Sequence, residues 1–321
     1  MHLIFRSLFK VFLSVMLASC ATENPKISIA YITNQGDNTV SVIDIKEQKV
    51  THNIKVDQAP VGIAVAEKIN RVFVSNVESA TVSVIDTHSN MVIHNIQVEG
   101  SPVGLAISPD NKMLFVADWY SNLVIKINPN TYEIIKKAKV EKAPAGVVVS
   151  QDNQHLYVAA RDSNEVVVLN AESLKTVKRI PVGEHPFGIA ADKSGNYLYS
   201  VNVYDNSISI IDTKTSQQTS TEVGDHPYCV TLNTDNNLIY VTNTLDESVS
   251  VIDIKTNRIV TTIEVGDTPE GIHYDKINKV ILVANWGSNT VSVIDAPSNK
   301  LINTLKVGEN PRAFGQFIFH N

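Results

Sequence analysis

The pentapeptide Ile239-Tyr240-Val241-Thr242-Asn243 is one of seven copies of a single segment, and its recurrence decides the fold. The other copies are Tyr31-Ile32-Thr33-Asn34, Val72-Phe73-Val74-Ser75-Asn76, Leu114-Phe115-Val116-Ala117-Asp118, Leu156-Tyr157-Val158-Ala159-Ala160, Leu198-Tyr199-Ser200-Val201-Asn202 and Ile281-Leu282-Val283-Ala284-Asn285. About ten residues after each copy, an apolar run ends in Asp or Asn. These ends are Asp44, Asp86, Asn128, Asn170, Asp212, Asp253 and Asp295, in steps of 42, 42, 42, 42, 41 and 42. A proline keeps the same beat at Pro60, Pro102, Pro144, Pro186, Pro227, Pro269 and Pro311. Such a period marks a repeat architecture.

Each repeat holds four short apolar runs, in the second repeat Gly62 to Ala66, Arg71 to Ser75, Thr81 to Ile85 and Met91 to Val98. Turn residues separate them, as in Ser108-Pro109-Asp110-Asn111. Four strands in about 42 residues make one blade of a β-propeller. Runs that are apolar on both faces, such as Val82-Ser83-Val84-Ile85, suit blades sandwiched between neighbours. The first repeat starts at Ile27 without an inner strand, and the last ends with a spare one, Ala313 to Ile318. The spare strand is predicted to become the innermost strand of blade 1. That clasp removes the sheet edges and closes an all-β, seven-bladed ring over 27–319.

Composition agrees. Of 321 residues, 43% are hydrophobic, mostly aliphatic, which supports a large core and favours strands. The net charge of −6 and the lack of a Lys/Arg cluster argue against nucleic acid as a partner. Two cysteines cannot staple a chain of this length.

The N-terminus, Met1 to Lys10, is short and basic and is followed by an apolar run from Val11 to Ala18. That run is too short to span a bilayer but suits a secretory signal. It ends in Leu17-Ala18-Ser19-Cys20, which resembles the bacterial lipobox. The resemblance implies a signal peptide at 1–19, a lipidated Cys20, a tether at 20–26 and an anchor in the cell envelope. With Ala21 rather than Asp after the Cys, the expected place is the outer membrane, facing the periplasm.

Tyr240-Val241-Thr242-Asn243, the near match Tyr31-Ile32-Thr33-Asn34 and segments such as Val182-Gly183-Glu184-His185-Pro186-Phe187-Gly188 resemble the YVTN-repeat β-propellers, a YncE-like and lactonase-like family. The resemblance covers Ile27 to Ile318. It implies the seven-bladed fold. For function it implies little, because the related propellers include exported proteins of unknown role, lactonase-like enzymes and the haem-binding propeller of bacterial nitrite reductases.

The repeating polar residues read as structural. Each strand-ending Asp precedes a turn whose backbone an Asx side chain bonds, and Asn replaces it at 128 and 170. Cys229 stands where other repeats carry Gly62, Gly104, Gly146, Gly188 and Gly271, so it reads as a buried small residue.

Function is therefore sought where the repeats differ. Strand parity places the loop entering each inner strand and the turn between strands two and three on one rim. Those turns carry Trp119-Tyr120, Arg161, Tyr204 and Trp286, residue types enriched at binding hot spots. The alternative is that each ring lies flat on the neighbouring blade. The residues after the prolines grow from Val61, Val103 and Ala145 to Phe187, Tyr228, Glu270 and Arg312, and His185 and His226 precede two of them. Each of these loops also carries an acid (Asp57, Glu99, Glu141, Glu184, Asp225, Asp267, Glu309), so a negative funnel is expected. His185 and His226 could converge on a metal or haem, but no third ligand is evident, and no cofactor is expected. Nucleophile-elbow, phosphate-loop and zincin motifs are lacking. Glu270, His226 and Arg312 form the best trio for a lactonase-like hydrolase, with Arg161 as a carboxylate anchor. The reading favoured is a monomeric, lipid-anchored propeller. Its decorated rim binds a protein or small ligand through Trp119, Tyr120, Arg161, His185, Phe187, Tyr204, His226, Tyr228, Glu270, Trp286 and Arg312, without catalytic residues.

Overall fold

A computed structural model describes residues 27–321. Residues 1–26, with Cys20 and the expected signal peptide and tether, lie outside the described residues. Seven sheets form a closed ring of four-stranded antiparallel blades, in chain order. Blade 2 is typical, with strands Pro60–Ala66, Arg71–Asn76, Thr81–Asp86 and Met91–Gln97 from the channel outward. The second and third strands are almost wholly buried because neighbouring blades cover both their faces. The outer strand is largely exposed.

The recurring tetrapeptide is a set of joints. In blade 6 Thr242 Oγ1 accepts the N–H of Cys229 on its own inner strand (3.0 Å) and donates to the carbonyl of Glu270 in blade 7 (2.9 Å). Thr33 repeats this between Ala313 and Val61, and Ser75 between Gly62 and Val103. The Asn that follows ties the adjacent hairpin: Asn243 Nδ2 donates to Ser248 and Ser250, and Asn34 Nδ2 to Thr39 and Ser41. The tyrosine reaches the next blade, since Tyr240 Oη donates to Asn299 and Tyr31 Oη to Asn90. The strand-ending Asp and Asn residues accept backbone N–H groups of their own turns in all seven blades.

Adjacent inner strands come closest at the glycines. A Cβ on Gly104 would lie 2.0 Å from the Ala145 carbonyl oxygen, and one on Gly62 would lie 1.9 Å from that of Val103. Cys229 fills the equivalent place in blade 6 and is buried and unpaired.

Ring closure differs in detail from the single strand expected from Ala313 to Ile318. Pro311 bridges Asn34 in the normal register. The chain then leaves blade 1, and Phe314–Gln316 pairs in parallel with Gly62–Ala64 of blade 2, giving that blade a fifth strand. It returns so that Ile318–His320 pairs antiparallel with Ser28–Ala30 and completes blade 1. Extra residues relative to the other inner strands make this excursion possible, and it carries Phe314 into the channel.

Candidate functional site

The two turn sets expected to share a rim are hydrogen-bonded together. The side-chain oxygens of Asn38, Asn122, Asn164, Asn206 and Asn289 accept the N–H of Ala59, Ala143, His185, His226 and Asn310, one blade onward. Those five acceptors of the turn, and the residues before the prolines except Ser101, have left-handed backbone. Ala59 and Ala143 share this conformation with His185 and His226, so it belongs to the repeat and is not strain peculiar to a site.

At the channel mouth the growth in side-chain size after the prolines builds a plug. Phe187 packs on Tyr228 (ring centroids 4.2 Å apart), on Phe314 (4.8 Å) and on Trp119 (5.7 Å). Val61, Ala145 and Cys229 belong to the same buried cluster. Trp119 thus neither lies flat on one blade nor stands free. It braces a ring of aromatics contributed by several blades and by the C-terminal excursion.

Beside the plug lies a buried polar network. Arg312 Nε donates to Gln35 Oε1 (2.7 Å) and its Nη1 to Tyr228 Oη (3.1 Å); Nη1 also lies 3.2 Å from Glu270 Oε2. Trp286 Nε1 contacts the same Gln35 oxygen at 3.4 Å. Glu270 is only 5% exposed. Burial pushes its carboxyl up to about 7, with Arg312 partly opposing. Burial, reinforced by Glu270, also raises the Tyr228 hydroxyl far above its ordinary range. Glu270 and Arg312 are therefore brought together, but as a desolvated pair under the rim. His226, the third member of the expected hydrolase trio, turns to Asp225 (2.8 Å).

Above this layer Arg161 stands between two rings, its guanidinium carbon 5.3 Å from the Trp119 centroid and 5.7 Å from that of Tyr204. It also pairs with Asp162 at 2.6 Å. Tyr204 in turn lies between the two histidines, 4.0 Å from His185 and 5.7 Å from His226. With an aromatic ring between them, the imidazoles do not converge on one ion. Among the described residues no group of three or more His, Cys, Asp or Glu is placed to hold a metal. Tyr120 projects into solvent at 79% exposure and Tyr204 at 53%. Leu245, on the corresponding turn of blade 6 and absent from the sequence-based set, is 61% exposed.

The expected negative funnel is neutralised in part, while Glu184, Asp267 and Glu309 have no ion-pair partner among the described residues. Glu99 is bound by Lys137 (2.8 Å) and Glu141 by Arg179, both cations reaching from outer strands. Asp57 accepts the Thr81 hydroxyl and Asp225 pairs with His226.

None of the eleven sequence-selected residues lines the principal cavity. That cavity, about 490 Å³, is the channel itself, closed by Phe314 at the decorated rim and open at the opposite one. Its mouth is made by the turns between first and second strands. Sequence reasoning passed over these turns because each resembles an ordinary solvated turn.

Among solved structures, the chain is similar to Kuenenia stuttgartiensis hydrazine synthase (TM-score 0.76, 21% identity, covering 83% of this chain and 91% of that one). It is also similar to a functionally unknown protein from Desulfotomaculum acetoxidans DSM 771 (TM-score 0.78, 16% identity, 90% and 99%). A third is the dihydro-heme d1 dehydrogenase NirN in complex with DHE (TM-score 0.68, 13% identity, 87% and 63%). At these identities the likeness is one of fold. A comparison with curated proteins gives no significant match. The family model described as YNCE-like beta-propeller matches residues 15–318, and with its seven blades and their joints the chain belongs to that family.

Proposed function

We propose that this chain is a lipid-anchored binding protein of the bacterial cell envelope that engages a protein partner through its decorated rim. The observation that carries this reading is the pair of exposed tyrosines, Tyr120 and Tyr204, flanking an Arg161 already stacked between Trp119 and Tyr204. Rigid aromatics and arginine on adjacent turn tips lose little entropy on docking and supply large contact areas. Leu245 extends the same exposed arc onto blade 6. The Phe187–Tyr228–Phe314 plug beneath holds this surface firm and leaves it no deep pocket, which suits a docking platform better than a catalytic cleft.

Site-specific photo-crosslinking tests the reading in cells. A photoreactive residue at position 120 is expected to give one discrete adduct that disappears in Trp119→Ala/Arg161→Ala. The same residue at position 151, on the opposite rim, serves as the control. Equal labelling from both positions would sink the proposal. The anchor is tested separately: the wild-type chain is expected to sediment with outer membranes and Cys20→Ser to be released. A wild-type chain found in the soluble fraction would overturn anchoring and leave the rim untouched.

A further inference from the structure

We propose that the channel opening on the opposite rim is a second binding site, and that it takes a small organic anion with an apolar body, a carboxylate or sulfonate on an aliphatic or aromatic frame. The volume, about 490 Å³, lies within the range of small-molecule sites. The walls mix apolar side chains with polar backbone and side chains in about equal measure. Gly104, Gly146 and Gly188 offer bare backbone, and Val148, Ala190 and Ile272 line the space around them. The C-terminal excursion makes it a blind pocket, since Phe314 and Gly315 form its floor.

The charge at the mouth selects the ligand. Lys68, Lys193 and Lys276 come from equivalent turns of blades 2, 5 and 7, and all three line the opening. At the position of Lys193 and Lys276 the other turns present Glu67, Pro109, Gln151 and Thr234, so one acid, Glu67, also lines the opening, with Lys68 next to it. The carboxylates of this rim are occupied. Glu67 and Asp275 both hold His320 (2.7 and 3.1 Å), Asp110 caps its own turn through Ser108 and Lys112, Asp152 does so through Ser150 and Gln154, Asp192 through Ser194 and the Tyr197 N–H, and Asp235 accepts the Tyr274 hydroxyl. Lys68 donates to the Pro109 carbonyl, whereas Lys193 and Lys276 have no ion-pair partner among the described residues. In a chain of net charge −6, three lysines line this opening against one acid, Glu67, which His320 already engages, so the sign of charge is locally reversed. Deeper in, His273 accepts the Phe317 N–H at Nδ1 (3.1 Å), which leaves Nε2–H as a donor beside the cavity. The site thus offers donors at the mouth and deeper in the shaft, with apolar side chains such as Val148, Ala190 and Ile272 between them.

The test uses naphthalene-2-sulfonate and its neutral counterpart 2-naphthol, titrated calorimetrically into the full chain carrying Cys20→Ser. One sulfonate is expected to bind per chain, with affinity falling as salt is raised. The surface variant Lys68→Gln/Lys193→Gln/Lys276→Gln is expected to weaken the sulfonate at least tenfold and to leave 2-naphthol unchanged. Ala190→Trp, which fills the shaft, is expected to abolish both. No heat with the sulfonate, or an affinity within twofold in the lysine variant, would overturn the proposal. So would a loss caused by Tyr120→Ser/Tyr204→Ser, which alters only the other rim.

Discussion

His320 Nε2 lies 3.1 Å from Asp275 Oδ1, so the closing strand of blade 1 is pinned to the inner strand of blade 7. Its Nδ1 meets Glu67 Oε1 of blade 2 at 2.7 Å. One imidazolium therefore joins three blades at the seam of the ring.

The seam should be pH-dependent. Hydrogen bonds to Asp275 and then Glu67 raise His320 to about 9. A raised histidine contributes stability that is complete below its unfolded value, about 6.5, and is lost as pH rises through the folded value. Burial alone would raise Asp275, but hydrogen bonds from His320, Asn278 and the backbone bring it down to about 2. Its share is present above about 4 and lost as pH falls toward 2. Urea midpoints should decline from pH 7 to pH 10 in the wild type. In His320→Ala the unfolding free energy should be lower by about 2 kcal/mol at pH 7, and the midpoints should change less over that interval.

Removing residues 312–321 should open the ring. The deletion takes away the buried Phe314, Phe317, Ile318 and Phe319, at about 1.5–3 kcal/mol each, and exposes the inner edge of blade 1. The expected result is a large drop in Tm with self-association on gel filtration. An unchanged melting curve would contradict the clasp.

The glycine ring should tolerate no methyl group where strands converge. Gly104→Ala places a Cβ against the Ala145 carbonyl, and a loss of about 3 kcal/mol or more is expected by chemical denaturation. Cys229→Ala, at the equivalent place, should cost less than about 1.5 kcal/mol. Burial and then Glu270 hold the Cys229 thiol well above its ordinary value. A thiol reagent should therefore leave the native chain unlabelled at pH 8 and react fully in denaturant.

Glu270 should give the opposite pH signature from an exposed acid. Its folded value is raised by burial, so unfolding releases a proton between about 4.5 and 7. Stability falls with rising pH across that window and levels above it. Glu270→Gln should remove this slope. Above pH 7 it should destabilise the protein, because Arg312 is then buried without its countercharge.

Much of this architecture was legible because repetition separates framework from decoration. Asp86 and Asn128 could be read as turn caps, and Cys229 as a small buried residue, by comparing equivalent positions. The rim was legible too, since Trp119 and Trp286 share a slot. That Trp119 braces Phe187 and Phe314 was not legible. The excursion that carries Phe314 into the channel depends on pairing with blade 2, about 250 residues earlier in the chain. His320 gave no local signal either, because its partners Glu67 and Asp275 become neighbours only when the ring closes. Lys68, Lys193 and Lys276 read singly as solvated turn residues, and their convergence is a property of the ring.

The closing strand also sets the order of events in folding. The first and last described residues are hydrogen-bonded to each other, Ile27 N–H to Asn321 Oδ1 at 3.2 Å, across 294 positions. Each blade from 2 to 7 is a local hairpin array that can form as its own residues become available, whereas blade 1 waits for Ile318–His320. Contacts of such long range are entropically late and slow. A nascent chain would thus carry a stack of nearly complete blades with one open seam until Ile318–His320 arrive, and the commitment step of folding would be a single closure at that seam.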